Sequence, residues 1–172
     1  MIDLKKHIKT HPDFLKPGIL FYDISSLMAD AKIWQETINQ FSSLVKKYNP
    51  EVLAGIESRG FIFASTIAYK LGCDVIMIRK KGKLPGRTIH HFYKLEYGTD
   101  CLEIQKREIL KNKNVILIDD LLATGGTAGA AVELLQKIKA NVSVFLTLIE
   151  LTNLKGRNKI KVKTDSLISF DE

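Results

Sequence analysis

Two adjacent carboxylates, Asp119 and Asp120, stand between an apolar run and a stretch of small residues, in Val115-Ile116-Leu117-Ile118-Asp119-Asp120-Leu121-Leu122-Ala123-Thr124-Gly125-Gly126-Thr127. Small residues let backbone N–H groups approach a phosphate closely, and a helix opening there adds a favourable partial charge. Thr124 and Thr127 can donate hydroxyl hydrogen bonds to the same phosphate. Paired carboxylates repel a phosphate but suit a sugar diol, each accepting from a hydroxyl. A ribose 5-phosphate satisfies both halves. No Lys follows the glycines, so the run is not a Walker A loop. The plainer reading is a strand–turn–helix with a solvated acidic cap.

A second chemical signal is positive. Arg79, Lys80, Lys81, Lys83 and Arg87 put five cations within nine residues. Such a run is a solvated face, a nucleic-acid or targeting patch, or a clamp for a polyanion. It follows an apolar run, and its glycines and Pro85 suit a mobile loop, which favours the clamp. Arg59 is a further cation just after the apolar run ending at Ile56. Histidines suggest less. His90 and His91 are adjacent and would point opposite ways in extended chain, so a surface pair in a mobile loop is expected. His7 and His11 could share a helix face, but Pro12 follows and no third metal ligand is evident.

These groups need elements to hold them. Ile33, Trp34, Ile38, Phe41, Leu44 and Val45 recur at helical spacing and predict a helix over 31–48, with Asp30 as N-cap and Asn49-Pro50 as its stop. A second helix is expected over 61–71, ended by Gly72, and a third over 127–139. Apolar runs at 52–56, 75–78, 115–118 and 142–148 read as buried strands. Strands alternating with helices predict an α/β fold, a single domain over 1–172 with a mainly parallel twisted sheet flanked by helices. Ligands of such sheets bind beyond the carboxyl ends of the strands. The informative loops therefore follow Ile56, Ile78 and Ile118.

Composition is ordinary for a globular chain, at 45% hydrophobic and 26% charged, with a formal net charge of +7. Cys73 and Cys101 have no metal-like spacing and read as reduced thiols. The N-terminal residues lack the apolar run of a secretory signal, and no stretch approaches the ~20 apolar residues that span a bilayer. A cytosolic protein is expected, with neither membrane nor nucleic acid as partner.

The stretch from Asp119 to Thr127 resembles the diphosphate-sugar signature of the type I phosphoribosyltransferases, in the form the adenine-using members carry. Three further segments agree. Pro17-Gly18-Ile19-Leu20-Phe21 with Asp23-Ile24-Ser25 resembles the family's purine-contacting segment. Glu57-Ser58-Arg59-Gly60-Phe61 resembles its diphosphate loop. Arg79-Lys80-Lys81-Gly82-Lys83-Leu84-Pro85-Gly86, continuing to Leu95-Glu96-Tyr97-Gly98, resembles a mobile hood over about 80–98. One departure is Tyr22, where members commonly carry Arg.

This resemblance implies the type I fold and transfer of 5-phosphoribosyl from 5-phosphoribosyl-1-diphosphate to adenine, giving AMP and diphosphate. It implies that Asp119 and Asp120 hold the ribose hydroxyls, and that Ala123, Thr124, Gly125, Gly126 and Thr127 grip the 5-phosphate. Ser58, Arg59, Arg79, Lys80 and Lys83 would meet the diphosphate. Ile19, Phe21 and Leu121 would receive adenine, and Glu96 would accept its proton. Mg²⁺ would ride mainly on the substrate, with no protein ligand assigned. A homodimer and a cis peptide at Ser58–Arg59 are also implied. A transferase for 6-oxopurines or xanthine is the neighbouring alternative. The alternative from another class is a non-catalytic regulator that senses the same diphosphate sugar, for which an added DNA-binding element would be needed.

Overall fold

The computed structural model describes residues 2–14, 16–94, 98–106 and 110–171. A short antiparallel hairpin of β1 (Lys9–Pro12) and β2 (Leu20–Asp23) precedes a one-turn helix, α1 (Ser25–Met28), and the long helix α2 (Ala31–Lys46). Among the described residues the main sheet has seven strands in the order β5-β6-β4-β3-β7-β8-β9. They are β3 (Val52–Ile56), β4 (Asp74–Lys80), β5 (Thr88–Lys94), β6 (Thr99–Gln105), β7 (Asn114–Leu122), β8 (Asn141–Leu151) and β9 (Lys163–Phe170). The five strands from β4 to β9 in that order run parallel, while β6 is antiparallel to both β4 and β5. Helix α3 (Arg59–Leu71) joins β3 to β4, and α4 (Gly126–Lys137) joins β7 to β8.

Period-two alternation divides the core between the two faces of the sheet. Leu53, Ile116 and Ile118 pack with Phe41 and Phe63 under α2 and α3. Ala54, Leu117 and Phe145 pack with Val132 and Leu135 under α4. Helix α2 begins where its cap predicts: the Asp30 carboxylate accepts from the N–H groups of Lys32 and Ile33 at 2.9 and 3.1 Å. Gly72 closes α3 in the left-handed region, at φ +71°.

Several expectations need correction. Helix α3 starts two residues early, at Arg59, and β7 runs past Ile118 to Leu122, so both aspartates lie within the strand. Its partner β8 is long enough to extend the ladder, pairing Asp119 with Thr147 and Leu122 with Glu150. The supposed loop over 80–98 contains strand β5, whose Ile89, His91 and Tyr93 turn inward while His90, Phe92 and Lys94 turn out. The histidine pair is thus on a paired strand, with His91 Nε2 3.0 Å from the Glu133 carboxylate of α4. His7 ends a 3₁₀ turn and His11 sits in β1, so they share no helix face. No helix among the described residues is long and apolar enough to cross a membrane.

Candidate active site

Three parallel strands deliver their carboxyl ends to one cleft of about 360 Å³. From β3 come Glu57, Ser58 and Arg59, from β4 comes Lys80, and from β7 come residues 119–128. The loops after Ile56, Ile78 and Ile118 meet as the topology requires.

Close backbone packing builds the acidic half. A methyl on Gly60 would lie 2.8 Å from the Ile118 carbonyl oxygen and 3.0 Å from an Asp119 carboxylate oxygen, so only glycine lets the first turn of α3 rest on β7. Arg59 Nε then lies 3.0 Å from Asp120 Oδ2. The Asp120 N–H donates to Asp119 Oδ1 at 2.9 Å. Burial and the neighbouring Asp120 charge push the Asp119 carboxyl well above the ordinary range. Burial also raises Asp120, against the opposing pull of Arg59. Beyond the acids, Gly125 is the N-cap of α4 with φ +77°, so residues 123–127 form a short turn at a helix N-terminus. This arrangement can hold a diol beside a phosphate.

Of the residues expected to meet a diphosphate, Ser58, Arg59 and Lys80 line the cleft while Arg79 and Lys83 reach its wall through Glu57, and each of the four cations already faces an acid. Glu57 accepts from Lys83 Nζ at 2.6 Å, from the Lys80 N–H at 2.7 Å and from Arg79 at 3.3 Å. Burial pushes Glu57 up, but these three donors outweigh it and hold its carboxyl below the usual range. Lys80 pairs with Asp100, and Tyr93 Oη lies 3.2 Å from both partners' polar atoms. Burial lowers the Lys80 ammonium, yet Asp100 and Tyr93 reverse that and raise it. Glu103 accepts from the N–H groups of Lys83 and Leu84, at 2.8 Å each, and so fixes the basic turn.

Tyr93, Asp100 and Glu103 were not expected. Strands β5 and β6 mix charged and apolar residues, so no clean period marks these three in the sequence. Tyr93 Oη also lies 3.4 Å from Thr127 Oγ1, which ties the β5–β6 hairpin to the small-residue turn.

Among the purine-segment residues, Phe21 packs against Phe14 with ring centroids 4.9 Å apart, and the Arg59 guanidinium lies 5.4 Å from the Phe21 centroid. Leu121 lines the cleft, and Ile19 is about half exposed, at 47%. Tyr22 points the other way along β2, buried against Phe170 at 4.6 Å, so its side chain belongs to the core. The cis peptide is Glu57–Ser58 rather than Ser58–Arg59, because Arg59 already belongs to α3. Glu96 lies outside the described residues.

A family model described as the phosphoribosyl transferase domain matches residues 24–170. The chain is 55% identical over 170 residues to the adenine phosphoribosyltransferase of Rhodospirillum rubrum, covering 99% of both chains. It is 50% identical over 171 residues to that of Acidiphilium cryptum, covering 99% of this chain and 100% of the relative. Among solved structures, the adenine phosphoribosyltransferase of Saccharomyces cerevisiae, complexed with an imino-altritol bisphosphate and adenine, superposes with a TM-score of 0.92. That pair is 38% identical, over 96% of each chain.

Proposed function

The chain belongs to the phosphoribosyl transferase family, and from that premise we propose that it salvages adenine, transferring 5-phosphoribosyl from 5-phosphoribosyl-1-diphosphate to give AMP and diphosphate. The observation that carries this reading is the convergence of an acidic pair, a glycine turn and the cations Arg59 and Lys80 on one cleft, in a chain half identical to adenine phosphoribosyltransferases. Residues 1–172 act as one transferase domain, with 80–98 as its hood.

An imidazole-ring nitrogen of adenine displaces diphosphate at the anomeric carbon through a transition state resembling an oxocarbenium ion. Asp119 and Asp120 hold the ribose hydroxyls and favour the developing positive charge. Residues 123–127 grip the 5-phosphate with backbone N–H groups and the hydroxyls of Thr124 and Thr127. Ser58, Arg59, Arg79, Lys80 and Lys83 receive the leaving diphosphate, and the cations exchange their present acid partners for it. Glu96 accepts the purine proton, and hood closure excludes water. Phe21 and Leu121 stack on the base. Backbone groups around Ile19 accept from the 6-amino group and donate to the adjacent ring nitrogen.

A hard cation fits the oxygen donors Asp119 and Asp120 at the cleft. This donor set suits Mg²⁺ carried mainly by substrate oxygens. Bound there, Mg²⁺ would take up negative charge on the departing diphosphate.

Two further readings accompany this one. A second copy of the chain covers the apolar groove where Phe61 and Ser65 of α3 meet Val75 and Met77 of β4, the last two nearly half exposed, which makes a homodimer. A reducing cytosol suits the free thiols of Cys73 and Cys101.

Incubation with the diphosphate sugar, Mg²⁺ and each natural nucleobase tests the function. Adenine turnover should exceed that of hypoxanthine, guanine and xanthine by on the order of 10⁴-fold, since a 6-oxo group reverses the donor–acceptor pattern and leaves buried groups unpaired. Turnover of a 6-oxopurine within tenfold of adenine would overturn the base assignment.

A further inference from the structure

We infer that Gly156 and Arg157 are positioning residues that set the shape of the 5-phosphate turn from behind. The inference rests on the reading of residues 123–127 as that turn. Neither residue lines the cleft.

Between β8 and β9 the chain makes two 3₁₀ turns, Thr152–Leu154 and Gly156–Lys159, hinged at Lys155 with φ +52°. Its residues are mostly exposed, and Gly156 is the buried exception. Gly156 is pressed against the turn by its backbone. A methyl on Gly156 would lie 2.2 Å from the Ala123 carbonyl oxygen and 2.8 Å from Leu122 Cδ1. Reciprocally, a methyl on Gly125 would lie 2.1 Å from the Gly156 carbonyl oxygen. One turn further along α4, a methyl on Gly129 would lie 2.6 Å from the Lys159 carbonyl oxygen. Three glycines thus let two backbones touch along the outer side of the turn and the start of α4.

What keeps Gly156 in place is its neighbour. Arg157 forks onto the buried carboxylate of Glu150 near the end of β8, with Nε 2.6 Å from Oε1, and donates to the Thr164 carbonyl of β9 at 2.8 Å. Ser166 of β9 donates to the same Glu150 carboxylate at 2.8 Å. The ends of two strands therefore hold Arg157, Arg157 holds Gly156, and Gly156 blocks outward movement of residues 123–125. A preorganised phosphate site needs such backing, because donors displaced by an ångström lose much of their effect.

Calorimetric titration with AMP and with adenosine, alongside thermal melting, tests this. Gly156→Ala should weaken AMP by on the order of 10²-fold, in line with the cost of a displacement near one ångström. Adenosine, which lacks the phosphate, should change by less than about threefold. Arg157→Gln should weaken AMP by about tenfold, and Arg157→Lys should recover part of that loss. If Gly156→Ala fails to fold, the two Arg157 variants decide. Unchanged AMP affinity, or equal losses for AMP and adenosine, would overturn the inference. Equal affinity of the unaltered protein for AMP and adenosine would overturn the phosphate-turn reading as well.

Discussion

The ribose-phosphate half of the cleft and its cationic half hold their shapes by opposite means. In the first, backbone lies against backbone: Gly60 on β7, and Gly125 on Gly156, at separations no side chain could share. In the second, long side chains reach acids on other strands and loops: Lys83 and Arg79 to Glu57, and Lys80 to Asp100. A substrate of the proposed kind meets a finished mould on one side and exchangeable ion pairs on the other. Rigid packing suits groups that do not change during the reaction, such as the 5-phosphate. Exchangeable pairs suit the diphosphate, which arrives, gains charge and departs.

Matched glycine variants sharpen this contrast most. Gly125 and Gly82 both have positive φ, +77° and +85°, but a methyl on Gly82 meets nothing within 4 Å. Gly125→Ala should lower kcat/KM for the diphosphate sugar by 10²-fold or more, as misplacement adds to strain. Gly82→Ala should cost about 5- to 30-fold at most, the ~1–2 kcal/mol of backbone strain alone. Equal losses in steady-state kinetics would erase the distinction between the halves.

Removing a cation comes next. Lys83→Ala should slow turnover by on the order of 10²-fold while adenine binding stays within a few-fold, because the lost charge opposes one that grows in the transition state. A change confined to the KM for adenine would move Lys83 out of the diphosphate site.

The acids separate activity from stability. Asp119→Asn should lower use of the diphosphate sugar by about one to two decades, through a weakened charged hydrogen bond of ~1.5–3 kcal/mol. Burial and Asp120 raise the Asp119 carboxyl, so placing a charge there works against the fold, and relieving it should raise Tm by about 2–4 °C per kcal/mol. A less active variant that also melts lower would contradict that account.

The smallest effect expected is in acid. Glu57 and Glu150 have folded values below the usual 4.5, set by Lys83, Lys80 and Arg79 in one case and by Arg157 and Ser166 in the other. Their stabilisation is therefore complete above about pH 4.5 and is lost as pH falls below it through the folded values. Melting curves should drop below that pH, and Glu57→Gln should flatten the drop. An unchanged acid limb in that variant would deny Glu57 its partners.

Elements were legible where the signal is local. The period of α2, its Asp30 cap and the apolar runs of β3 and β8 announced themselves because burial on a helix face or a central strand selects residues a few positions apart. Strands β5, β6 and β9 were not, since at or near the sheet edge they mix charges with apolar residues; β9 reads Lys163-Thr164-Asp165-Ser166-Leu167-Ile168-Ser169-Phe170. Their assignment depends on the neighbours they pair with.

By itself the sequence determined that Asp119, Asp120 and the small-residue turn follow a buried strand, that cations cluster after two others, and that a parallel sheet sends all three to one end. Tertiary structure decided which acid each cation faces and which backbone backs the turn. Arg59 and Asp120 are 61 positions apart, and Gly125 and Gly156 are 31. Contacts over such separations are set by strand order and helix placement, for which neighbouring residues carry no periodic signature. Even the glycines show this: Gly60 and Gly156 read as ordinary loop or helix residues until another backbone is found where their side chains would have been.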